Sequence, residues 1–294
     1  MFYRRKIVLA LLEKFENGLE RTRLQKLVFL VSQRQKEPNY EFVPYKFGCY
    51  SYSLKADIDA MIKRGIINDI DNTYNPTDNK NYYNTLTSND KLLLDEVFNT
   101  YGKMKTDLLI KHTYLNFPYH AINSEIATTL LPEKYLVRIN ENRPKNNDTV
   151  LFTIGYEGVS LEAYLNKLIQ NNVKLLVDVR KNPLSMKFGF SKTLLKRYCG
   201  NLGIEYIHVP EVGIDSSKRQ ELNNQNDYDM LFEKYKKTTL VETNSYQEKI
   251  LELLKKHNRI ALTCFESDVC QCHRKPLAEA IAKFPIFDYK VKHL

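Results

Sequence analysis

The sequence predicts an α/β protein in which an N-terminal, mainly helical domain precedes a C-terminal, mostly parallel sheet. From residue 149 onward, short apolar runs alternate with helical patterns, which is typical of parallel strands connected by helices. Before residue 140, apolar residues recur at helical spacing instead. The 294 residues, of which 43% are hydrophobic, are sufficient for two packed cores. We therefore expect a Rossmann-like fold in the second half of the chain.

The first predicted domain, residues 1–139, has the element order of a winged-helix-like domain with a helical extension. Two amphipathic helices are predicted over residues 7–15 and 21–31. A third helix begins after Ser53, which we expect to be its N-cap, and a hairpin follows around Asp71. Helix, helix, loop, helix and hairpin is the order of winged-helix domains.

The N-terminal part also resembles the Panacea antitoxin-like domain and its winged-helix relatives over roughly the first 100 to 130 residues. The segments that carry this resemblance are LQKLVFL at 24–30, PYKFGCYS at 44–51, Leu54 and GII at 65–67. The relatives carry Gly-Pro where this chain has Gly48-Cys49. The resemblance implies a recognition role, with DNA or a protein as the partner. Alternatively, Gly48 makes only a turn, and the aromatic residues between 45 and 50 only fill a core.

A polar segment at residues 140–148 contains a proline and no apolar residue, so it is the predicted linker. The second predicted domain spans residues 149–294. Its predicted strands cover residues 149–154, 173–179, 204–209 and 259–264, and its predicted helices cover 160–165, 191–202 and 246–257. Because helices connect the successive strands, the strands are expected to run parallel and to be covered on both faces.

Polar and reactive side chains follow every predicted strand of the second domain. In a parallel sheet the functional crevice lies outside the carboxyl ends of the strands, so these side chains are expected to meet at one edge. They are Tyr156 and Glu157 after the first strand, Asp178, Arg180 and Ser185 after the second, His208 and Glu211 after the third, and Cys264, Glu266, Cys272, His273 and Arg274 after the fourth. This edge is the predicted functional site.

The same residues resemble the family called domain of unknown function 488. The motifs that carry the resemblance are GYE at 155–157, DVRKNPLS at 178–185, FGFS at 188–191, and CFE at 264–266 with CHR at 272–274. They extend over nearly all of residues 150–294. The resemblance supports the α/β fold and implies little about activity. Cys270 and Gln271 depart from the acidic or proline-containing loop common in the family, which leaves an additional thiol unexplained.

Three interpretations compete for the thiols of the loop between residues 264 and 274. Cys264 or Cys272 could be a nucleophile whose thiolate is stabilised by the helix N-terminus, His273 or Arg274. A Cys-x5-Arg phosphatase loop is disfavoured, because Cys270 stands where that chemistry needs arginine. Alternatively, the thiols only pack in the core.

Zinc is the remaining interpretation of this loop. Cys264, Cys270, Cys272 and His273 would supply four ligands. Their Cys-x-Cys-His spacing is too tight for the usual tetrahedral knuckle, so we expect no metal and no cofactor. The five cysteines cluster late in the chain without a secretory signal, which favours reduced thiols and a cytoplasmic location.

The carboxylates offer a different chemistry at the same edge. Glu157, Asp178 and Glu266 could act as acid, base or ribose ligand in a glycosidic-bond reaction. The residues expected to bind the substrate or its anionic groups are Tyr156, Arg180, Ser185, His273 and Arg274. The alternative is an internal salt-bridge network, with Asp178 bound to Arg180 or Arg274 and Glu266 bound to Arg274.

Charge points to an anionic partner. The formal net charge is +9, and basic residues accumulate near the predicted site. Lys187, Lys192, Lys196 and Arg197 alternate with aromatic residues at 188, 190 and 198, a combination that suits phosphates and stacked bases. The alternative is an ordinary amphipathic helix with a solvated basic face. No apolar run reaches the length of a membrane span, so no membrane partner is expected.

These observations favour a protein that processes nucleotides or nucleic acid. If the protein is an enzyme, we expect a hydrolase that acts on a nucleotide or a nucleic-acid base. Nucleotide or nucleic acid is the expected partner, and the N-terminal domain offers a surface for a protein partner. The competing hypothesis is a non-catalytic regulator that binds DNA or protein and whose α/β domain senses a small anion or thiol oxidation.

Overall fold

A computed structural model describes residues 1–78, 80–215, 217, 222 and 224–294. The chain divides into two compact units, Met1–Arg143 and Pro144–Leu294. The predicted fold class is confirmed, because the first unit is rich in helices and the second contains a parallel five-stranded sheet. Among the described residues, no helix combines the length and the apolar character that crossing a bilayer requires.

The N-terminal unit packs helices against small antiparallel sheets. Its helices are α1 (Tyr3–Leu12), α2 (Arg21–Ser32), α3 (Tyr52–Lys63), α4 (Ser88–Tyr101), α5 (Thr106–Asn116), α6 (Ala127–Leu130) and α7 (Glu133–Glu141). Its strands are β1 (Leu19–Glu20), β2 (Val43–Tyr45), β3 (Gly48–Tyr50), β4 (Ile67–Ile70) and β5 (Thr73–Pro76). Strands β1, β5 and β4 form one sheet in that order, and β2 pairs with β3.

The start of α3 differs from the sequence prediction by two residues. Ser51, and not Ser53, is the N-cap, and its side chain accepts a hydrogen bond from the backbone N–H of Leu54. Tyr52 and Ser53 already belong to the helix. Ser51, in extended backbone, therefore satisfies one of the free N–H groups of a helix that begins two residues before its predicted start.

The turn between β2 and β3 requires a glycine. Gly48 has a φ of +86°, and a Cβ atom there would lie 2.4 Å from the ring of Tyr114. The rings of Tyr45, Tyr50 and Tyr52 contact one another beside this turn, whereas Phe47 is 46% exposed. Gly48 thus makes the turn, and Phe47 does not fill the core.

The C-terminal unit is a parallel sheet with its connecting helices. Its strands are β6 (Val150–Gly155), β7 (Leu175–Asp178), β8 (Glu205–His208), β9 (Arg259–Cys264) and β10 (Lys290–His293). Its helices are α8 (Leu161–Gln170), α9 (Lys192–Asn201), α10 (Gln225–Lys237), α11 (Thr239–Glu242), α12 (Asn244–His257) and α13 (Arg274–Ile281).

The strand order is β10-β6-β9-β7-β8, and every neighbouring pair is parallel. Strands β6, β7 and β9 are buried along their whole length, as their apolar sequences predict. Ser160 caps α8 by accepting a hydrogen bond from the N–H of Ala163. Strand β10 lies outside the four predicted strands, and all four of its residues are exposed.

Candidate functional site

The sheet order brings three strand ends together. Strand β9 lies between β6 and β7, so the residues that follow these three strands are neighbours in space. The register places Gly155 beside Cys264 and Asp178 beside Thr263. The sequence prediction that polar groups from separate segments face one edge therefore has a geometric basis in this order.

Asp178 and Arg180 form a buried salt bridge at the end of β7. The Nε and Nη2 atoms of Arg180 donate to the two carboxylate oxygens of Asp178 at 2.8 and 2.5 Å. The hydroxyl of Tyr206 donates to the same carboxylate at 2.6 Å. Asp178 is 0% exposed and Arg180 is 5% exposed. The ion pair that the sequence offered as an alternative to catalysis is thus present, and it is shielded from solvent.

The remaining donor of Arg180 ties β7 to two other segments. Its Nη1 atom donates to the hydroxyl of Tyr156 at 2.7 Å and to the backbone carbonyl of Phe190 at 2.9 Å. The Tyr156 and Phe190 rings stack with centroids 4.3 Å apart. Burial alone would lower the pKa of Arg180, but the adjacent Asp178 carboxylate outweighs it and raises the pKa. Arg180 therefore stays charged.

Arg274 holds the loop that follows β9. This side chain is 1% exposed and donates to the backbone carbonyls of Glu266 and Ser267, the second at 2.9 Å. A Cβ atom at Gly155 would lie 1.8 Å from the Glu266 carbonyl oxygen, so only glycine allows the loop to approach β6 this closely. Both predicted anion-binding arginines, Arg180 and Arg274, thus have partners inside the protein.

Cys264, Cys272 and His273 form a buried cluster beneath this loop. One donor atom from each residue lies within 4.8 Å of the others, and the three side chains are at most 2% exposed. The Sγ atom of Cys264 lies 3.6 Å from Nδ1 of His273. The same thiol donates to the carboxylate of Glu266 at 3.2 Å. These are the residues of the site that could hold a metal ion.

Burial raises the pKa of the Cys272 thiol well above its ordinary value, and the neighbouring Cys264 and Glu266 raise it further. The thiolate is the nucleophilic form of cysteine. Cys272 therefore keeps its proton at neutral pH unless a cation compensates the charge. Cys270, by contrast, is exposed, and its sulfur lies 3.5 Å from the amine of Lys275.

Glu157 and Glu266 are the predicted carboxylates that reach solvent. Glu157 is exposed and accepts hydrogen bonds from the backbone N–H and the hydroxyl of Ser267, at 3.0 and 3.2 Å. Glu266 is half-buried and lies one residue before Ser267. The two side chains therefore flank the same loop, and Asp178 is separated from solvent.

The segment that carries Lys187, Lys192, Lys196 and Arg197, here called the basic segment, lies next to the end of β6. The amine of Lys187 donates to the backbone carbonyl of Tyr156 at 2.7 Å, and the backbone N–H of Lys187 donates to the hydroxyl of Ser185 at 3.2 Å. The amine of Lys192 lies 3.1 Å from Nδ1 of His208. Lys196 and Arg197 are exposed on α9. Lys187 and Lys192 thus contact other groups of the protein, whereas Lys196 and Arg197 are exposed to solvent.

Three contributors to the site were not predicted. Tyr206 binds Asp178, Ser267 binds Glu157, and the ring of Phe265 packs edge-on against Tyr156 at 5.3 Å. Tyr206 is predictable from its strand, because residues two apart point to the same side of a strand and His208 is a predicted residue of this edge. Phe265 belongs to the CFE motif, but its contact with Tyr156, like the contact of Ser267 with Glu157, depends on the loop conformation and has no signal in the sequence.

The family model described as Domain of unknown function DUF488 matches residues 160–281. The C-terminal unit contains a DUF488 domain. The matched range includes Asp178, Arg180 and the whole loop from Cys264 to Arg274, and it begins after Glu157. No curated protein and no solved structure matches the chain. The description of the DUF488 domain gives no specific activity.

Proposed function

We propose that the DUF488 domain processes a nucleotide or a nucleic acid at the carboxyl edge of its sheet, with Glu266 as the acid or base. The observation that carries this proposal is the position of Tyr156. Its backbone carbonyl binds Lys187, its ring stacks on Phe190, and the same ring contacts Phe265 beside Glu266. Tyr156 therefore joins the basic segment to the loop that carries the half-buried carboxylate.

The surface around Tyr156 suits phosphates and bases. Phe188 and Phe265 are 38% and 44% exposed, so each leaves part of a ring open for stacking. Lys192, Lys196 and Arg197 are exposed on the same segment. Cations attract the phosphate backbone, and aromatic rings stack on bases without regard to sequence. A single-stranded or nucleotide ligand would use both.

Burial separates the roles of the predicted catalytic residues. Glu266 reaches both solvent and the Cys264 thiol, which fits a group that exchanges protons with a substrate. Asp178 is fully buried and accepts from Arg180 and Tyr206. We infer that Asp178 and Arg180 position Tyr156 and that Glu157 orients the loop through Ser267.

Binding is tested with fluorescently labelled single- and double-stranded oligonucleotides at several salt concentrations. The double variant Lys196→Glu/Arg197→Glu should bind more weakly, and the slope of log affinity against log salt should fall by roughly 1.4 to 1.8 for two lost phosphate contacts. The control is Lys255→Glu/Lys256→Glu, an equal change in charge on exposed residues at the end of α12 that precedes β9. Equal effects of the two double variants would contradict the proposal.

Catalysis is tested by mass spectrometry of oligonucleotides and free nucleotides after incubation with the protein. Wild type should produce a change in mass that Glu266→Gln does not. The control is Glu205→Gln, the same substitution on an exposed residue at the opposite, amino end of β8. If no ligand is bound or altered, or if Glu266→Gln acts like wild type, the proposal must be dropped.

The burial of the site also favours a second candidate, a non-catalytic regulator. Cys264, Cys272, Arg180 and Arg274 are all at most 5% exposed and have little access to a substrate. In this proposal the N-terminal unit, as a winged-helix domain of the Panacea-like type, would bind DNA or a protein. A steeply salt-dependent DNA affinity that persists after removal of residues 150–294 would favour this candidate over the enzyme.

A further inference from the structure

The cluster of Cys264, Cys272 and His273 has the chemistry of a metal site. Two thiols and one imidazole nitrogen lie within 4.8 Å of one another in a buried position. Sulfur and imidazole ligands together favour zinc among the common divalent ions. The cluster draws on two elements, because Cys264 ends β9 whereas Cys272 and His273 precede α13.

The separation of the sulfur and the nitrogen matches that of two ligands on one tetrahedral ion. With Zn–S near 2.3 Å and Zn–N near 2.0 to 2.1 Å, a sulfur and a nitrogen on the same tetrahedral zinc are about 3.5 to 3.6 Å apart. Sγ of Cys264 and Nδ1 of His273 are 3.6 Å apart. An ion between these atoms would therefore need little rearrangement of either side chain.

The orientation of His273 is fixed by a second contact. Its Nε2 atom lies 3.0 Å from the backbone carbonyl oxygen of Val179. Because a carbonyl oxygen only accepts, Nε2 carries the proton and Nδ1 presents its lone pair to the thiols. Histidine ligands of metals commonly donate their other N–H to a carbonyl or carboxylate in this way.

The backbone explains how two adjacent residues point into one cluster. Cys272 is extended, with φ −129° and ψ 133°, whereas His273 is helical, with φ −61° and ψ −15°. The change of conformation removes the alternation of side chains that an extended chain would impose. The tight Cys-His spacing, which led us to expect no metal, is therefore no obstacle, and the exposed Cys270 is not needed as a ligand.

We propose that the DUF488 domain binds one Zn²⁺ through Sγ of Cys264, Sγ of Cys272 and Nδ1 of His273. The carboxylate of Glu266, whose oxygen lies 3.2 Å from the Cys264 sulfur, stands beside this site and is not one of the three ligands. Binding releases both thiol protons to solvent, and the two thiolates neutralise the charge of the ion. This inference is independent of the proposed function, because it requires neither a substrate nor turnover.

The test measures zinc in the full-length protein. Reduced protein is loaded with zinc, equilibrated against a weak chelator and analysed by mass spectrometry for metal. Wild type should retain about one zinc per chain. Cys264→Ser and Cys272→Ser should each bind at least roughly tenfold more weakly, since loss of an outer-shell partner alone costs that much. Cys270→Ser is the control, because it changes an exposed thiol of the same loop and should retain zinc like wild type.

A second measurement does not require the Cys264 and Cys272 variants to fold, because it uses only wild type and Cys270→Ser. Zinc should raise the urea midpoint of wild type and of Cys270→Ser relative to the same proteins in excess chelator, because a ligand that binds only the folded state stabilises it. The proposal is overturned if wild type retains no zinc. It is equally overturned if Cys264→Ser retains as much zinc as Cys270→Ser, since the metal would then lie elsewhere.

Discussion

At the scale of single residues, Asp178 and Arg180 show what sequence reasoning resolves and what it does not. Their positions at the end of a strand could be predicted from the apolar run before them. Whether the two residues form a salt bridge or act in catalysis depends on how deeply they are buried, and the local sequence does not show this. Removing one partner of a buried ion pair leaves an uncompensated charge. The pair therefore fixes the strand end more than it offers reactive groups.

Gly155 provides a residue-level prediction. Gly155→Ala places a Cβ atom 1.8 Å from the Glu266 carbonyl oxygen, so the loop must move away from β6. Overpacking of this kind costs about 1 to 3 kcal/mol in the free energy of unfolding. The loss of Arg274 contacts would add to that cost. Urea unfolding followed by circular dichroism measures the change.

Gly200→Ala is the matched control for that substitution. Gly200 lies within α9, and a Cβ atom there has no neighbour within 4 Å among the described residues. Alanine is the better helix former by up to about 1 kcal/mol, so this variant should be as stable as wild type or more stable. Similar destabilisation of both variants would show that the close approach at Gly155 is unimportant.

At the scale of elements, the buried strands were predictable and the edge strand was not. Strands β6 and β9 are nearly continuous apolar runs, which are typical of strands that are buried on both faces. Strand β10 reads Lys-Val-Lys-His, is exposed throughout, and is held mainly by its backbone pairing with β6. Lysines on an edge strand prevent pairing with other chains, but the same composition is typical of a loop. The N-cap at Ser51 was missed similarly, because two serines lie within reach of one helix start.

Removal of β10 tests how much this edge strand contributes to the free energy of unfolding. A chain ending at Tyr289 keeps the packing of that ring on the core and loses four paired residues, the Thr153–His293 hydrogen bond of 2.7 Å and the Leu294–Thr153 backbone bond of 2.9 Å. At about 0.5 to 1.5 kcal/mol for each hydrogen bond, the loss of these two bonds alone should cost the C-terminal unit about 1 to 3 kcal/mol in the free energy of unfolding. Lys290→Ala, which keeps the backbone pairing, should stay within about 0.5 kcal/mol of wild type. Full stability of the shortened chain, measured by urea unfolding, would contradict this.

At the scale of the whole molecule, the chain consists of two units with separate cores. The N-terminal core contains residues of α1 and α2, and the C-terminal core contains residues of β7 and β9. Residues 146–148 belong structurally with the second unit, because Arg259 donates to Asn146 at 3.1 Å and to the carbonyl of Asp148 at 2.9 Å. A polar composition could identify this segment as a connection, but it could not reveal that a buried arginine holds part of it.

Two fragments test that arrangement. Residues 144–294 should fold alone, because the fragment contains its complete sheet and core. A fragment of residues 150–294 should be less stable by about 1.5 to 3 kcal/mol, since a charged donor of Arg259 loses its acceptors. Circular dichroism during urea unfolding compares the two. Equal stability would show that residues 144–149 are only a connection.

The sequence predicts where the candidate site lies, but it predicts only part of what the individual residues do there. The rule that ligands meet the carboxyl ends of parallel strands located Tyr156, Glu157, Cys264 and Glu266 without any knowledge of contacts. Roles depended on which groups are buried and on which hydrogen bonds they form. Arg274 illustrates the difference, because its partners are backbone carbonyls that no side-chain pattern could indicate.

The central position of β9 has a consequence for synthesis of the protein on the ribosome. Within the described part of the chain, strand β6 pairs only with β9 and β10, which are made more than 100 residues later. Until residue 264 has left the ribosome, β6 has neither of its neighbours, and its apolar edge is open. Such non-local pairing makes folding slow and exposes the nascent chain to aggregation. The centre of the sheet therefore forms only after Cys264 arrives, and Arg274 and the core residues of α13 follow it, so the site and the core of this unit are both completed late.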